Sequence, residues 1–264
     1  MANLFIKQAG EYAAARPNYP TKLFEFIASK TPCHDLAWDV GTGSGQAVSS
    51  LARIYKNVVA TDTSPSQLEF APKLPNARYQ LTPPVMSLSE IAGLVAPESS
   101  ADLVTVAQAL HWFDLPTFYG HVKHVLKKPH GVFAAWCYTN PEVNSAVDEV
   151  FRRYYSESLG PYWDKARRLV EDEYRSIEFP FEAVDGEVST EPMRFAAERE
   201  MGMEEYMTYL RSSSAYQTAR EKGLELLTPE MEAEFAGSWE EDGEEKKVVR
   251  FPIFLRIGKV GDGV

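Results

Sequence analysis

The chain has 264 residues, with 27 Lys plus Arg against 38 Asp plus Glu, a net charge of −11 and 44% hydrophobic residues. That is enough for one large α/β domain or two small ones, and its acidity disfavours an obligate nucleic-acid surface. No apolar run reaches the roughly 18 residues of a membrane span, and the opening Met1-Ala2-Asn3-Leu4-Phe5 has neither a leader's basic flank nor the glycine that myristoylation needs. Cys33 and Cys137 stand far apart without metal-type spacing, so a disulfide scaffold and a cysteine zinc site are both disfavoured and a cytoplasmic setting is expected.

In chain order, a preamble containing Tyr12 and Arg16-Pro17-Asn18-Tyr19-Pro20 leads into a helix marked by Leu23, Phe24 and Ile27, with Pro20 in its first turn. Strand-like runs follow at 36–40, 57–61, 77–81, 102–106 and 132–136, most of them trailed by a helical pattern, which is the signature of βαβ units and a parallel sheet. The helical stripes are Val48, Leu51, Ala52, Tyr55, then Leu88, Ile91, Ala92, Val95, then Leu115, Phe118, Tyr119, Val122. Pro65, Pro72 and Pro75 shorten any helix between the second and third strands. After residue 140 the alternation stops. Val143, Ala146, Val147, Val150, Phe151 and Tyr154 predict a long amphipathic helix, 163–173 a second, and further helices are expected at 203–211, 215–226 and 228–237, the last capped by Thr228 with Pro229 behind it. A closing strand is expected within 248–257, where Pro252 favours a strand start, an edge or a bulge. The acidic residues from Glu240 to Glu245 read as a solvated turn.

The strongest chemical signal is Asp39-Val40-Gly41-Thr42-Gly43-Ser44-Gly45, a glycine turn between a strand and a helix, with Asp62 about 20 residues on at the end of the next strand. Glycines let backbone amides and a helix N-terminus approach a ligand, and a carboxylate at the second strand end can accept both ribose hydroxyls. This order points to a nucleoside-containing ligand. The spacing is G-x-G-x-G rather than G-x-G-x-x-G, and Asp39 would oppose a pyrophosphate but favour a cationic ligand, directly or through water. S-adenosyl-L-methionine, with its sulfonium and ammonium, fits that charge pattern better than a nicotinamide or flavin dinucleotide. A nicotinamide oxidoreductase and a noncatalytic module of the same fold are the competing readings. Degraded glycines or a lost ribose acid would mark the second of these.

With those residues in view, the chain resembles the class I S-adenosylmethionine-dependent methyltransferases, in the methyltransferase type 11 or trans-aconitate methyltransferase-like branch. The resemblance covers residues 8–138 and rests on Tyr12 with Arg16 to Pro20, on Asp39 to Gly45, on Ala60-Thr61-Asp62, on Gln108-Ala109-Leu110-His111-Trp112-Phe113 and on Gly131 to Trp136. It implies a Rossmann-like, doubly wound, seven-stranded and mostly parallel sheet with the last strand antiparallel. A single domain is expected, divided into an N-terminal cap (1–30), a cofactor-binding core (31–140), a helical lid with acceptor-side elements (141–240), and a closing strand and tail (241–264). It further implies that Gly41 and Gly43 flank the methionine part, with Thr42 and Thr63 as further cofactor-binding residues, that Asp62 holds the ribose, that Gln108 lies near the sulfonium, and that the preamble with Tyr12 closes over the site, Arg16 being either a partner for the cofactor carboxylate or half of a surface ion pair. Leu81-Thr82-Pro83-Pro84 replaces the Ala-Glu that many members use for adenine, so Thr82 is the substitute to test.

The sulfonium supplies an activated methyl, so the protein need only align an acceptor and exclude water. His111, three residues past Gln108, is the candidate base or acceptor-positioning group. Tyr19, Trp112, Trp136, Tyr138 and Trp163, with Tyr154 and Tyr155, suggest an aromatic acceptor pocket. His121 and His124 lack a third ligand and read as surface histidines; no metal is expected. No Asp/Asn-Pro-Pro-aromatic tetrapeptide follows the fourth strand, which disfavours base methylation in nucleic acids. A small-molecule acceptor remains, with the oxygen of a carboxylate favoured from the trans-aconitate-type resemblance over nitrogen or carbon, and S-adenosyl-L-homocysteine as product. Nothing in the sequence sets the oligomeric state.

Overall fold

The computed structural model describes residues 18–261. Seven strands form one sheet: β1 (Leu36–Val40), β2 (Asn57–Asp62), β3 (Ala77–Leu81), β4 (Leu103–Ala107), β5 (Val132–Tyr138), β6 (Met193–Gly202) and β7 (Lys246–Lys259), in the order β3-β2-β1-β4-β5-β7-β6. The pairings from β3 to β5 are parallel, and β7 runs antiparallel to both β5 and β6. The order reverses direction on either side of β1 and β4, so the carboxyl ends of those strands flank the crevice where ligands bind in such sheets.

Alternate strand residues face two apolar layers, which is why the central strands read as unbroken apolar runs. Ala37, Val58, Leu103, Ala134 and Trp136 pack under α1 (Thr21–Ser29), α2 (Val48–Ile54), α6 (Ser145–Arg153), α8 (Met203–Arg211), α9 (Ser214–Glu221) and α10 (Pro229–Glu240). Trp38, Val59, Val104, Phe133 and Cys137 pack under α4 (Leu88–Leu94), α5 (Leu115–Val125) and α7 (Arg167–Glu171). Short α3 (Pro65–Glu69) follows β2, capped by Ser64.

The elements expected along 18–138 are present within a residue or two. Pro20 stands at the N-cap of α1 rather than inside its first turn. The segment 141–240 is not wholly helical: β6 was absent from the sequence expectation. Its pattern, Met193-Arg194-Phe195-Ala196-Ala197-Glu198-Arg199-Glu200, carries charge on an edge strand, where outward charge protects against edge pairing and masks the apolar signal. The long helix from Val143 gives way at Tyr154–Ser158 to a π turn, closed by the Leu159 amide on the Tyr154 carbonyl at 3.0 Å. The helix expected over 163–173 is only the five-residue α7, ended by Glu173 and Tyr174 at φ +59° and +62°. Pro252 lies inside β7, a central strand. Its carbonyl accepts from the Thr139 amide, so its donor-less nitrogen faces the side on which β5 has just ended.

Candidate active site

At the end of β1 the chain turns through Gly41, Gly43 and Gly45. Gly41 has φ +64°, and a Cβ there would lie 2.9 Å from Ala109 Cβ, so only glycine brings β1 this close to the segment after β4. The Thr42 amide donates to the Thr61 carbonyl at 3.0 Å, tying the turn to β2.

Asp39 is not where a cationic ligand could touch it. It is fully buried, and its two carboxylate oxygens accept from Thr42 Oγ1 at 2.5 Å and Thr105 Oγ1 at 2.6 Å. Burial pushes its pKa up to about 6 against the pull of those two hydroxyls. Of the two routes expected, direct or through water, a direct contact with the cofactor does not fit this burial: Asp39 stitches β1, the glycine turn and β4 together from beneath, with the Thr42 hydroxyl proton donated to it.

Asp62 is half-buried at the end of β2, its Oδ2 accepting from the Gly43 amide and its Oδ1 from the Ser64 amide, both at 2.8 Å. Thr82 is buried beside it, its amide donating to the Asp62 carbonyl at 3.0 Å; Thr63 is exposed. Next to the turn, Gln46 Nε2 and Gln67 Oε1 are buried without a hydrogen-bond partner among the described residues, the latter 3.8 Å from where a Cβ on Gly43 would stand. A carboxylate able to accept a diol, glycines that keep the turn open and two amide atoms unsatisfied among the described residues fit the ribose and amino-acid portions of an S-adenosyl group. Tyr12 and Arg16 lie outside the described residues.

Beyond β4 and β5 an open cleft, about 820 Å³ with its solvent-filled mouth, is lined by Gln108, His111, Trp112, Tyr138, Asn140, Tyr155, Trp163, Asp164 and Arg167, and by Ser212, Ser213 and Ser214 at the turn between α8 and α9. Gln108 has φ +57°, a strained conformation for a non-glycine residue, held because its side-chain amide spans to β5: Nε2 donates to the Tyr138 carbonyl at 3.0 Å and Oε1 accepts from the Tyr138 amide at 2.8 Å. Trp136 and Tyr19 do not line the cleft. Trp136 sits two residues deeper in β5, fully buried, with Tyr19 and Phe24 edge-on to it at 5.3 and 5.9 Å. Tyr154 is likewise core, against Phe235.

His111 Nδ1 lies 2.9 Å from the Tyr174 hydroxyl. Burial, reinforced by the Arg167 charge, pushes the imidazole pKa down to about 3, so the ring is neutral and only weakly basic.

Sequence reasoning missed Arg167, Asn140 and Tyr174. The Arg167 guanidinium lies 4.7 Å from the Trp163 ring, with Nε donating to the Tyr155 hydroxyl at 3.1 Å and Nη2 to Asn140 Oδ1 at 3.0 Å. Tyr155 in turn donates to Glu171. Among the described residues Arg167 has no carboxylate within ion-pair distance, although Asp164 lines the same cleft, so its guanidinium is a cation at the cleft wall without a direct ion pair. Asp35 and Asp102, by contrast, are matched by Lys56 and Lys127 and form a structural ion cluster.

A glycine turn beside a strand-end acid, at the reversal point of a 3-2-1-4-5-7-6 sheet, defines a class I S-adenosylmethionine-dependent methyltransferase. The comparisons agree. Residues 38–135 match the methyltransferase domain family. A Dictyostelium discoideum protein assigned to the methyltransferases is 33% identical over 254 residues, 94% of this chain and 91% of its own length. A Saccharomyces cerevisiae protein assigned as an S-adenosylmethionine-dependent methyltransferase is 26% identical over 79% of each chain. The solved structure of an Anaeromyxobacter dehalogenans protein assigned as a type II methyltransferase aligns with TM-score 0.78 and 33% identity, over 92% of this chain and 97% of that one. The chain belongs to this methyltransferase family and is an S-adenosylmethionine-dependent enzyme.

Proposed function

We propose that the enzyme methylates a carboxylate oxygen of a small organic acid. The observation that carries this reading is Arg167, a guanidinium without a direct ion pair among the described residues, stacked on Trp163 and braced by Asn140 and Tyr155 at the carboxyl edge of β5. A guanidinium fork matches a carboxylate in charge and geometry, whereas an amine acceptor would be repelled. Bound S-adenosylmethionine supplies the activated methyl group. Gln108 and Tyr138 fix the edge over which the acceptor lies, the aromatic walls exclude water, and Arg167 orients the acid so that one oxygen is in line. An ionised carboxylate attacks as it stands, so the weak basicity of His111 is no obstacle. The free thiols of Cys33 and Cys137 support the cytoplasmic setting that belongs to this reading.

The test is a screen of small carboxylic acids with methyl-labelled S-adenosylmethionine, scoring base-labile methyl esters. In Arg167→Met the KM for an accepted acid rises roughly 10- to 100-fold, the equivalent of one charged hydrogen-bonding contact, while cofactor affinity holds. Label appearing only in base-stable products would move the reading to nitrogen or carbon methylation.

A further inference from the structure

The Tyr174 hydroxyl, fully buried, has one side-chain hydrogen-bond partner among the described residues, His111 Nδ1 at 2.9 Å, and its oxygen also lies against the His111 backbone amide, a donor that cannot take the phenol proton. A phenol has a single proton to donate, and stranding it in a dry interior is costly. Were Nδ1 protonated, it would donate to the phenol oxygen and the phenol proton would be left without an acceptor among the described residues. Nδ1 is therefore the acceptor, and a neutral imidazole with a bare Nδ1 carries its hydrogen on Nε2. Tyr174 does not line the cleft and His111 does, so the ring edge opposite Tyr174 faces the acceptor.

We infer that His111 presents an Nε2–H donor to the acceptor cleft, and that Tyr174 is the positioning residue that fixes this tautomer. The backbone that carries Tyr174 is built for the purpose. Glu173 and Tyr174 both adopt left-handed φ, a conformation that persists only when its surroundings over-determine it. The buried Arg256 of β7 does so: Nη1 donates to the Tyr174 carbonyl at 2.6 Å and to the Ile177 carbonyl at 3.3 Å, and Nε to the Thr190 carbonyl at 2.5 Å. The charged groups facing His111 are Asp164, just before α7, and Arg167, its first residue, and neither hydrogen-bonds Nδ1. Resting on the carboxylate reading above, the donor would hold one acceptor oxygen while Arg167 holds the acid's charge, leaving a lone pair in line with the methyl.

The decisive experiment is a long-range ¹⁵N–¹H spectrum of histidine-labelled protein, with His111 identified by the signals lost in His111→Gln. The neutral Nε2–H pattern is expected from pH 5 to 9, and Tyr174→Phe converts it to a tautomer mixture. An Nδ1–H pattern in the unsubstituted protein, or an imidazolium titrating in that range, overturns the inference, and this holds even if Tyr174→Phe does not fold. For an acid accepted in the screen, His111→Gln, which keeps a donor amide, loses less than ~10-fold in kcat/KM and His111→Ala ~100-fold or more. Equal losses overturn the donor role. Should no acid be methylated, the carboxylate reading fails while the spectrum still decides the tautomer.

Discussion

Asp39 makes its burial visible in the pH dependence of stability. Its folded pKa of about 6 lies above the ordinary carboxylate value of 3.8, so the folded protein binds the proton more tightly than the unfolded chain. The resulting contribution, about 3 kcal/mol by linkage, is complete below pH 3.8 and lost as pH rises through 6. Denaturant unfolding from pH 4 to 8 should show this slope in the natural protein and not in Asp39→Asn. Asp62→Ala removes both the diol acceptor and the hydrogen bonds to the Gly43 and Ser64 amides. S-adenosylhomocysteine affinity measured by calorimetry should fall at least 10-fold, and the protein without cofactor should lose about 1–2 kcal/mol of stability. Unaltered affinity would remove Asp62 from the site. These residues were legible because a glycine turn and a strand-end acid are defined by short spacings. Arg167 and Tyr174 meet Asn140 and His111 across 27 and 63 positions, and no local pattern records such a meeting. Trp136 illustrates the converse: it shares a face with Tyr138, but two residues of depth along β5 separate core from cleft.

Among the elements, Arg256 joins sheet and loop. It is buried on β7, stacks 4.7 Å over Phe179, and holds three carbonyls of 174–190. Arg256→Met retains much of the packing but strands those carbonyls, at about 2–4 kcal/mol, so thermal unfolding should fall by roughly 5–15 °C. An unchanged melting temperature would mean that the loop is held elsewhere. The βαβ elements through Tyr138 were readable from apolar period, and α8, α9 and α10 were expected as helices, α10 from its Thr228 cap, which accepts from the Met231 amide, while α9 ends at Glu221, short of the expected 226. β6 was not, because charge at an edge hides the strand, and α7 fell short because left-handed residues that are not glycine leave no compositional mark.

For the whole molecule, cofactor binding and stability are one equilibrium. S-adenosylhomocysteine at 100 times its Kd should stabilise the fold by about 2.7 kcal/mol and raise the melting temperature by roughly 5–10 °C; NAD should leave it where it is. A shift with NAD instead would contradict the cofactor assignment. The site itself divides by origin. The candidate cofactor residues among those described fall within 39–108, inside the family match, while the cleft is lined by Gln108, His111 and Trp112 from that match together with residues of 138–214, where the chain leaves the regular alternation.

The place of β7 in the sheet has a consequence for biosynthesis. β5 and β6 do not pair with each other; each pairs with β7, which is translated after both. While residues 246–259 are still inside the ribosome, the nascent chain holds two strands with open edges and an acceptor wall that lacks Arg256 to secure it. The cofactor half, closed from β3 to β5, can organise first. Chaperone engagement should therefore persist until the last strand emerges, because open strand edges are the surfaces on which unfinished chains aggregate.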